Sequence, residues 1–171
     1  GTIVLNSDDD MLKNFKNSEF EVLFAGLKKE NNPDIFADNI ENDEFSSRFE
    51  VNFRNSKFKV SLPILGKQNI LNSLLASLVC LKLGFDGSEI ASALECFVAS
   101  PMRSEVSFVS GVKIIKDYYN ASPESSKVAV ENLANIKNDG KKIAILGEIS
   151  ELGSFSAEEH FNLAVCCCKN Q

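Results

Sequence analysis

Twice in its second half this sequence runs from β-branched residues straight into a polar loop, and that pattern narrows the fold more than any other feature. Val112, Ile114 and Ile115 lead into Asp117-Tyr118-Tyr119-Asn120-Ala121-Ser122-Pro123-Glu124-Ser125. Ile143, Ala144, Ile145 and Leu146 lead into Gly147-Glu148-Ile149-Ser150-Glu151-Leu152-Gly153. Short β-branched runs bounded by polar clusters predict strands. Polar groups just past the carboxyl ends of strands in an open α/β sheet face the crevice where ligands bind. An α/β fold is therefore expected, with its chemistry on these two loops.

The first half supplies more of such a sheet. Residues 2–5 read as a strand delivering the chain to Asn6 and the acidic run Asp8-Asp9-Asp10. That run suits a solvated turn and helix start, where carboxylates favour the positive end of the helix dipole. Residues 21–25 and 34–40 are further strand candidates. Phe49, Val51 and Phe53, then Phe58, Val60 and Leu62, alternate with polar residues around Asn55-Ser56, as a hairpin with one buried face does. Leu71, Leu74, Leu75 and Leu78 recur at helical spacing and predict a helix over 69–83 that stops at Gly84. Ser88 is expected to cap a second helix with Ile90, Ala93, Leu94 and Phe97 on one face.

Ser100-Pro101 breaks the pattern, and the domain boundary is expected there, dividing the chain into 1–99 and 100–171. Ser122 and Pro123 make an N-cap and first helical position for a helix to about residue 136. Asn138-Asp139-Gly140 reads as a turn. Ser156 and Glu159 read as a capping box opening a last helix that runs to Gln171. A parallel sheet needs several strands covered on both faces, and the part after Pro101 offers two.

Composition excludes some functions. A net charge of −6 disfavours non-specific nucleic-acid binding. No apolar run is long enough to span a bilayer and no basic-then-apolar leader opens the chain, so a cytoplasmic protein without membrane partners is expected. Cys80 and Cys96 sit on apolar helical faces, and the consecutive Cys166, Cys167 and Cys168 fan around a helix. They read as small, partly buried thiols rather than as a disulfide framework or zinc site. His160 is the sole histidine, so no metal ligands are assigned. No G-x-x-x-x-G-K-[ST] occurs. Gly66-Lys67 is followed by Gln68, so nothing here cradles phosphates as a P-loop does.

Five stretches, in order, resemble motifs of the Mur ligases. Leu5-Asn6-Ser7-Asp8-Asp9 is similar to the strand-end N-A-D-D, and residues 66–76 to G-x-H-N-x-x-N-x-L-A-A. Met102-Arg103-Ser104-Glu105 is similar to the linker arginine motif, residues 116–125 to D-D-x-Y-N-A-N-P-x-S, and residues 146–153 to L-G-[DE]-M-x-E-L-G. The resemblance extends from Leu5 to His160 and is strongest to the dipeptide-adding branch. The chain departs at Gln68, where the family has histidine, and at Lys116, which replaces the first aspartate.

The resemblance implies an ATP-dependent ligase. ATP would phosphorylate the terminal carboxylate of UDP-N-acetylmuramoyl-tripeptide, the amine of D-alanyl-D-alanine would attack the acyl phosphate, and Mg2+ would neutralise phosphate charge. It further implies a partial central ATP-binding domain followed by a partial Rossmann-like C-terminal domain, with the phosphate loop and Mg2+ ligands before Gly1. Asn69 and Asn72 would meet the adenine, and a carboxamide, both donor and acceptor, suits that edge. Arg103 would approach the phosphates, a role for which a guanidinium fork is apt. Asp117 would meet the ribose, with Tyr119 and Asn120 lining the same crevice. Without the resemblance these residues read as a helix start, a linker and an Asx turn. Glu148 and Glu151 serve equally well to orient the dipeptide or as solvated loop residues, and His160 is expected to pack its helix. Rival readings are a folylpolyglutamate- or cyanophycin-type ligase of the same superfamily and a non-catalytic nucleotide- or partner-binding paralogue.

Overall fold

The computed structural model describes residues 1–43, 46–136 and 140–170. The chain divides into two compact units, Gly1–Val98 and Ala99–Gln171. Each is described by itself.

The first unit is a five-stranded mixed sheet carrying two helices. Its strands are β1 (Thr2–Asn6), β2 (Glu21–Gly26), β3 (Ile35–Asn42), β4 (Ser47–Phe53) and β5 (Ser56–Leu62). They lie in sequence order, with β1, β2 and β3 parallel and β3, β4 and β5 antiparallel. The β4–β5 hairpin turns on Arg54 and Asn55, with Arg54 left-handed at φ 51°. Helices α1 (Lys67–Lys82) and α2 (Gly87–Glu95) follow. Helix α1 packs on β1, β2 and β3, and α2 packs on β5. Alternate strand residues Leu23, Ala25, Ile35, Ala37, Phe49, Val51, Val60 and Leu62 meet Ile70, Leu71, Leu74 and Leu78 in one buried core. Period 2 in the strands and period 3.6 in the helix thus aim their apolar residues at the same layer.

Several local expectations are corrected. Asp86, not Ser88, caps α2. Its carboxylate accepts the N–H groups of Ser88 (2.8 Å) and Glu89 (2.9 Å), and Glu89 Oε2 accepts the N–H of Asp86 at 2.9 Å. An N-cap needs an extended backbone, and Asp86 has it at ψ 167° while Ser88 is already helical. Phe97 lies beyond the helix end and is exposed, as is Cys96. Helix α1 starts at Lys67 after Gly66 at φ 107°, so Asn69 is an interior first-turn residue and not a cap.

The second unit holds an antiparallel hairpin of β6 (Glu105–Val109) and β7 (Val112–Lys116), then α3 (Pro123–Asn135) and α4 (Ser156–Lys169). Val130 on α3, Leu163 on α4 and Ile149 between them form its buried cluster. Ser122 caps α3, with Pro123 as its first residue. The strand expected over 143–146 is not formed. That segment pairs with no described strand, and Ile145 is 94% exposed. A strand exists only through its ladder, so β-propensity alone cannot produce one. The Ser156–Glu159 capping box is also absent. Ser156 is helical (φ −56°, ψ −49°) because a 3-10 turn, Gly153–Phe155, feeds directly into α4. Of the expected turn at 138–140, Asn138 and Asp139 lie outside the described residues, as does Gln171 at the expected end of α4.

Candidate functional site

The carboxyl ends of β1 and β2 are tied together by one aspartate. Asp8 follows β1, and its carboxylate accepts the N–H of Leu27 (2.7 Å) and of Lys28 (3.2 Å) and the side-chain amide of Asn31 (3.1 Å). The reading of the acidic run as solvated is therefore corrected at Asp8, whose three donors come from the chain just after β2. Asn6 Oδ1 accepts the N–H of Asp8 at 2.8 Å, which fixes the turn. Strand-end position held the signal that Asp8 is engaged, because the next parallel strand ends beside it.

At the start of α1, Asn69 donates its amide to the carbonyl of Leu65 at 2.7 Å, and Asn72 Oδ1 accepts from Gln68 Nε2 at 3.2 Å. Asn69 keeps a free carbonyl oxygen and Asn72 a free NH2 among the described residues. Three residues apart on a helix, they lie on one face. An acceptor and a donor side by side match a purine edge, which presents both. Gln68 thus orients the Asn72 carboxamide.

In the second unit the hairpin folds the linker arginine onto the Asp117 loop. Asp117 Oδ1 accepts the N–H of Ser104 at 2.9 Å, and the N–H of Tyr119 donates to the carbonyl of Met102 at 3.2 Å. Met102 and Ser104, on either side of Arg103, are left-handed at φ 61° and 52°. The Arg103 guanidinium lies 4.4 Å from the centre of the Tyr119 ring, within cation–π range. Lys116 does not pair with Asp117. It crosses the hairpin to Glu105 Oε1 at 2.9 Å, opposite it in the β6–β7 register. Glu105 Oε2 accepts the N–H of Met102 at 3.1 Å. The Lys116 hydrogen bond, then the Met102 N–H, hold the Glu105 carboxyl below its usual range, and the Glu105 hydrogen bond raises Lys116. Glu105 is the residue that sequence reasoning left without a role. The signal was the alternation of residues 105–109 before Ser110-Gly111, a two-residue hairpin turn with both φ positive, at 49° and 80°.

Arg103, Asp117 and Tyr119 are thus brought together, each exposed. Asn120 follows them without a side-chain partner among the described residues. Glu148 and Glu151 lie on a separate loop, exposed, with no ion pair or hydrogen bond to a described residue. Among the described residues no three of His, Cys, Asp and Glu converge as a metal site would require, and no helix is long and apolar enough to cross a membrane.

Residues 1–80 match the Mur ligase middle domain. Along nine-tenths of its length the chain is similar to Mur ligases. It is 28% identical to the UDP-N-acetylmuramoyl-tripeptide–D-alanyl-D-alanine ligase of Bacillus subtilis, over 94% of this chain and 34% of the relative. Among solved structures, MurF from Acinetobacter baumannii superposes with a TM-score of 0.83 at 27% identity, covering 95% of this chain and 35% of its own. MurF ligase from Thermotoga maritima, solved in complex with ADP, gives 0.81 at 30% identity over 96% and 37%. The chain therefore spans about a third of the length of these Mur ligases.

Proposed function

We propose that this chain contributes the base and ribose side of an ATP-dependent Mur ligase that joins D-alanyl-D-alanine to UDP-N-acetylmuramoyl-tripeptide through an acyl phosphate. Residues 1–99 then form the later part of the central ATP-binding domain and residues 100–171 the first part of the C-terminal ligase domain, in a cytoplasmic enzyme. The observation that carries this reading is the likeness to ligases of that named activity along nine-tenths of the chain, through both units.

The side chains fit the nucleotide. Asn69 and Asn72 offer a free acceptor and a free donor to adenine. Asp117 has one carboxylate oxygen on Ser104 and a second available for a ribose hydroxyl. Tyr119 and Asn120 line the same loop. Arg103, stacked by one face on Tyr119, keeps its N–H edge for phosphate oxygens. ATP, carried with Mg2+ on its phosphates, supplies the activating phosphoryl group. Glu148 and Glu151 present exposed carboxylates, without partners among the described residues, suited to the ammonium of an incoming dipeptide.

Phosphate release from ATP tests the reading, measured on the complete gene product with the tripeptide nucleotide and the dipeptide together and with each omitted. Release that requires both is expected. Release indifferent to the dipeptide, or supported by glutamate in its place, would contradict it.

A further inference from the structure

The Glu148–Leu152 loop is held at Ile149 and at Leu152, and a histidine on α4 bonds to the first of them. Ile149 is 2% exposed and packs with Val130 and Leu163, and Leu152 packs against the same cluster. Between and beside these anchors, Glu148, Ser150 and Glu151 face solvent. Glu151 is left-handed at φ 64°, a conformation a non-glycine residue keeps only when its surroundings impose it. The backbone N–H of Ile149 donates to His160 Nε2 at 3.0 Å. An N–H can only donate, so Nε2 carries the lone pair and the ring proton is on Nδ1. Nδ1 in turn donates to the carbonyl of Ser156 at 2.7 Å, one turn back on α4. The helix therefore sets the ring, and the ring sets the loop.

We infer that His160 is a positioning residue: its neutral Nε2 pins Ile149 so that Glu148 and Glu151 are presented together to the amine-bearing acceptor. The inference rests on the proposed ligase reading for the identity of the acceptor, and on the hydrogen-bond geometry alone for the pin. The helix-packing role expected from sequence explains neither bond, because a packing residue needs no lone pair directed at a buried amide. Carboxylates without a partner among the described residues, fixed on a loop anchored by Ile149 and Leu152, select a cationic group. The dipeptide's ammonium is such a group, whereas the nucleotide phosphates are anionic.

Two variants of the complete gene product separate the pin from simple packing. His160→Phe keeps a flat ring of similar size and removes both bonds. His160→Gln keeps an acceptor near the position of Nε2. Hydrogen exchange of the Ile149 amide and steady-state kinetics are read on each. His160→Phe is expected to speed Ile149 exchange at least tenfold and to raise the KM for D-alanyl-D-alanine about tenfold while leaving the KM for ATP within twofold. His160→Gln is expected to restore most of both. Unchanged Ile149 exchange in His160→Phe overturns the pin whatever the kinetics. Equal damage by Phe and Gln overturns it in favour of packing, and an equal rise in both KM values overturns the acceptor assignment. Faster Ile149 exchange in a protein whose wild type has no ligase turnover leaves the pin standing and removes the ligase reading instead.

Discussion

At Gly26 the ends of two parallel strands approach so closely that a hydrogen is all the space allows. A Cβ there would lie 2.0 Å from Ser7 Oγ and 3.0 Å from Asp8 Oδ1. Ser7 is buried, and its hydroxyl donates to the carbonyl of Ala25 at 3.3 Å, so it has no free direction in which to move. Gly26→Ala is expected to destabilise the first unit by about 1–3 kcal/mol, as overpacking does, read as a lower urea midpoint at unchanged slope. Asn69→Ala separates two roles of one side chain. In the complete gene product it is expected to weaken ATP binding by roughly 0.5–1.5 kcal/mol, the worth of one neutral hydrogen bond, with no matching change for the dipeptide. Titrating each substrate decides this, and an unchanged ATP constant would count against the adenine role. Asn69 and Asn72 were visible in sequence as a pair three apart. That Leu65 and Gln68 each consume one end of that pair was not, because it depends on where the chain before Lys67 turns.

The elements most legible in sequence were those whose pattern is decided locally. The β4–β5 hairpin alternates cleanly, and the α1 leucines recur at helical spacing, so both form as expected. Ser122-Pro123 likewise caps and starts α3. Errors arose where two neighbouring residues competed for one job or where pairing was non-local. Asp86 and Ser88 are both good caps, and the backbone awards the place to Asp86. Asp86→Ala is therefore expected to cost about 1 kcal/mol in thermal or urea unfolding, and Ser88→Ala clearly less. The strand at 143–146 failed because a ladder partner cannot be read from the segment itself. Of the β6–β7 hairpin only the second strand was legible, because the alternation over 105–109 is short and directly follows the irregular backbone of Met102 and Ser104. Its cross-strand pair gives a pH signature. Glu105, lowered, contributes stability above its unfolded pKa that is lost as pH falls through the folded value. Lys116, raised, contributes below its unfolded pKa and loses this as pH rises through the folded value. Melting temperature against pH should show a plateau through neutrality with a fall on each side, and Glu105→Gln should flatten the acid side. An unchanged acid limb in that variant would show the pair to be energetically idle, as exposed pairs often are.

For the molecule as a whole, the α/β class and the likeness to Mur ligases were legible because five motifs stand in order. Arg103 and Asp117 should behave as one device, since Asp117 holds the Ser104 N–H that sets the backbone beside Arg103. In a double-mutant cycle on kcat/KM for ATP, Arg103→Ala and Asp117→Ala are each expected to lower turnover strongly and together to fall short of their sum. Additive losses would separate the two residues. The 171-residue chain alone, which contains no P-loop motif, is expected to release no phosphate above a buffer control. In the proposed ligase, ATP would activate a carboxylate as an acyl phosphate before an amine attacks it. In that sequence a carboxylate oxygen attacks the γ-phosphorus and displaces ADP, the amine then attacks the carbonyl carbon and gives up a proton, and phosphate departs with that oxygen. The most direct measurement follows the oxygen, by mass spectrometry of the phosphate formed by the complete gene product from ATP, D-alanyl-D-alanine and UDP-N-acetylmuramoyl-tripeptide labelled with 18O in its terminal carboxylate. One 18O in the phosphate for each amide bond formed is expected, and amide formation with unlabelled phosphate would rule the acyl phosphate out.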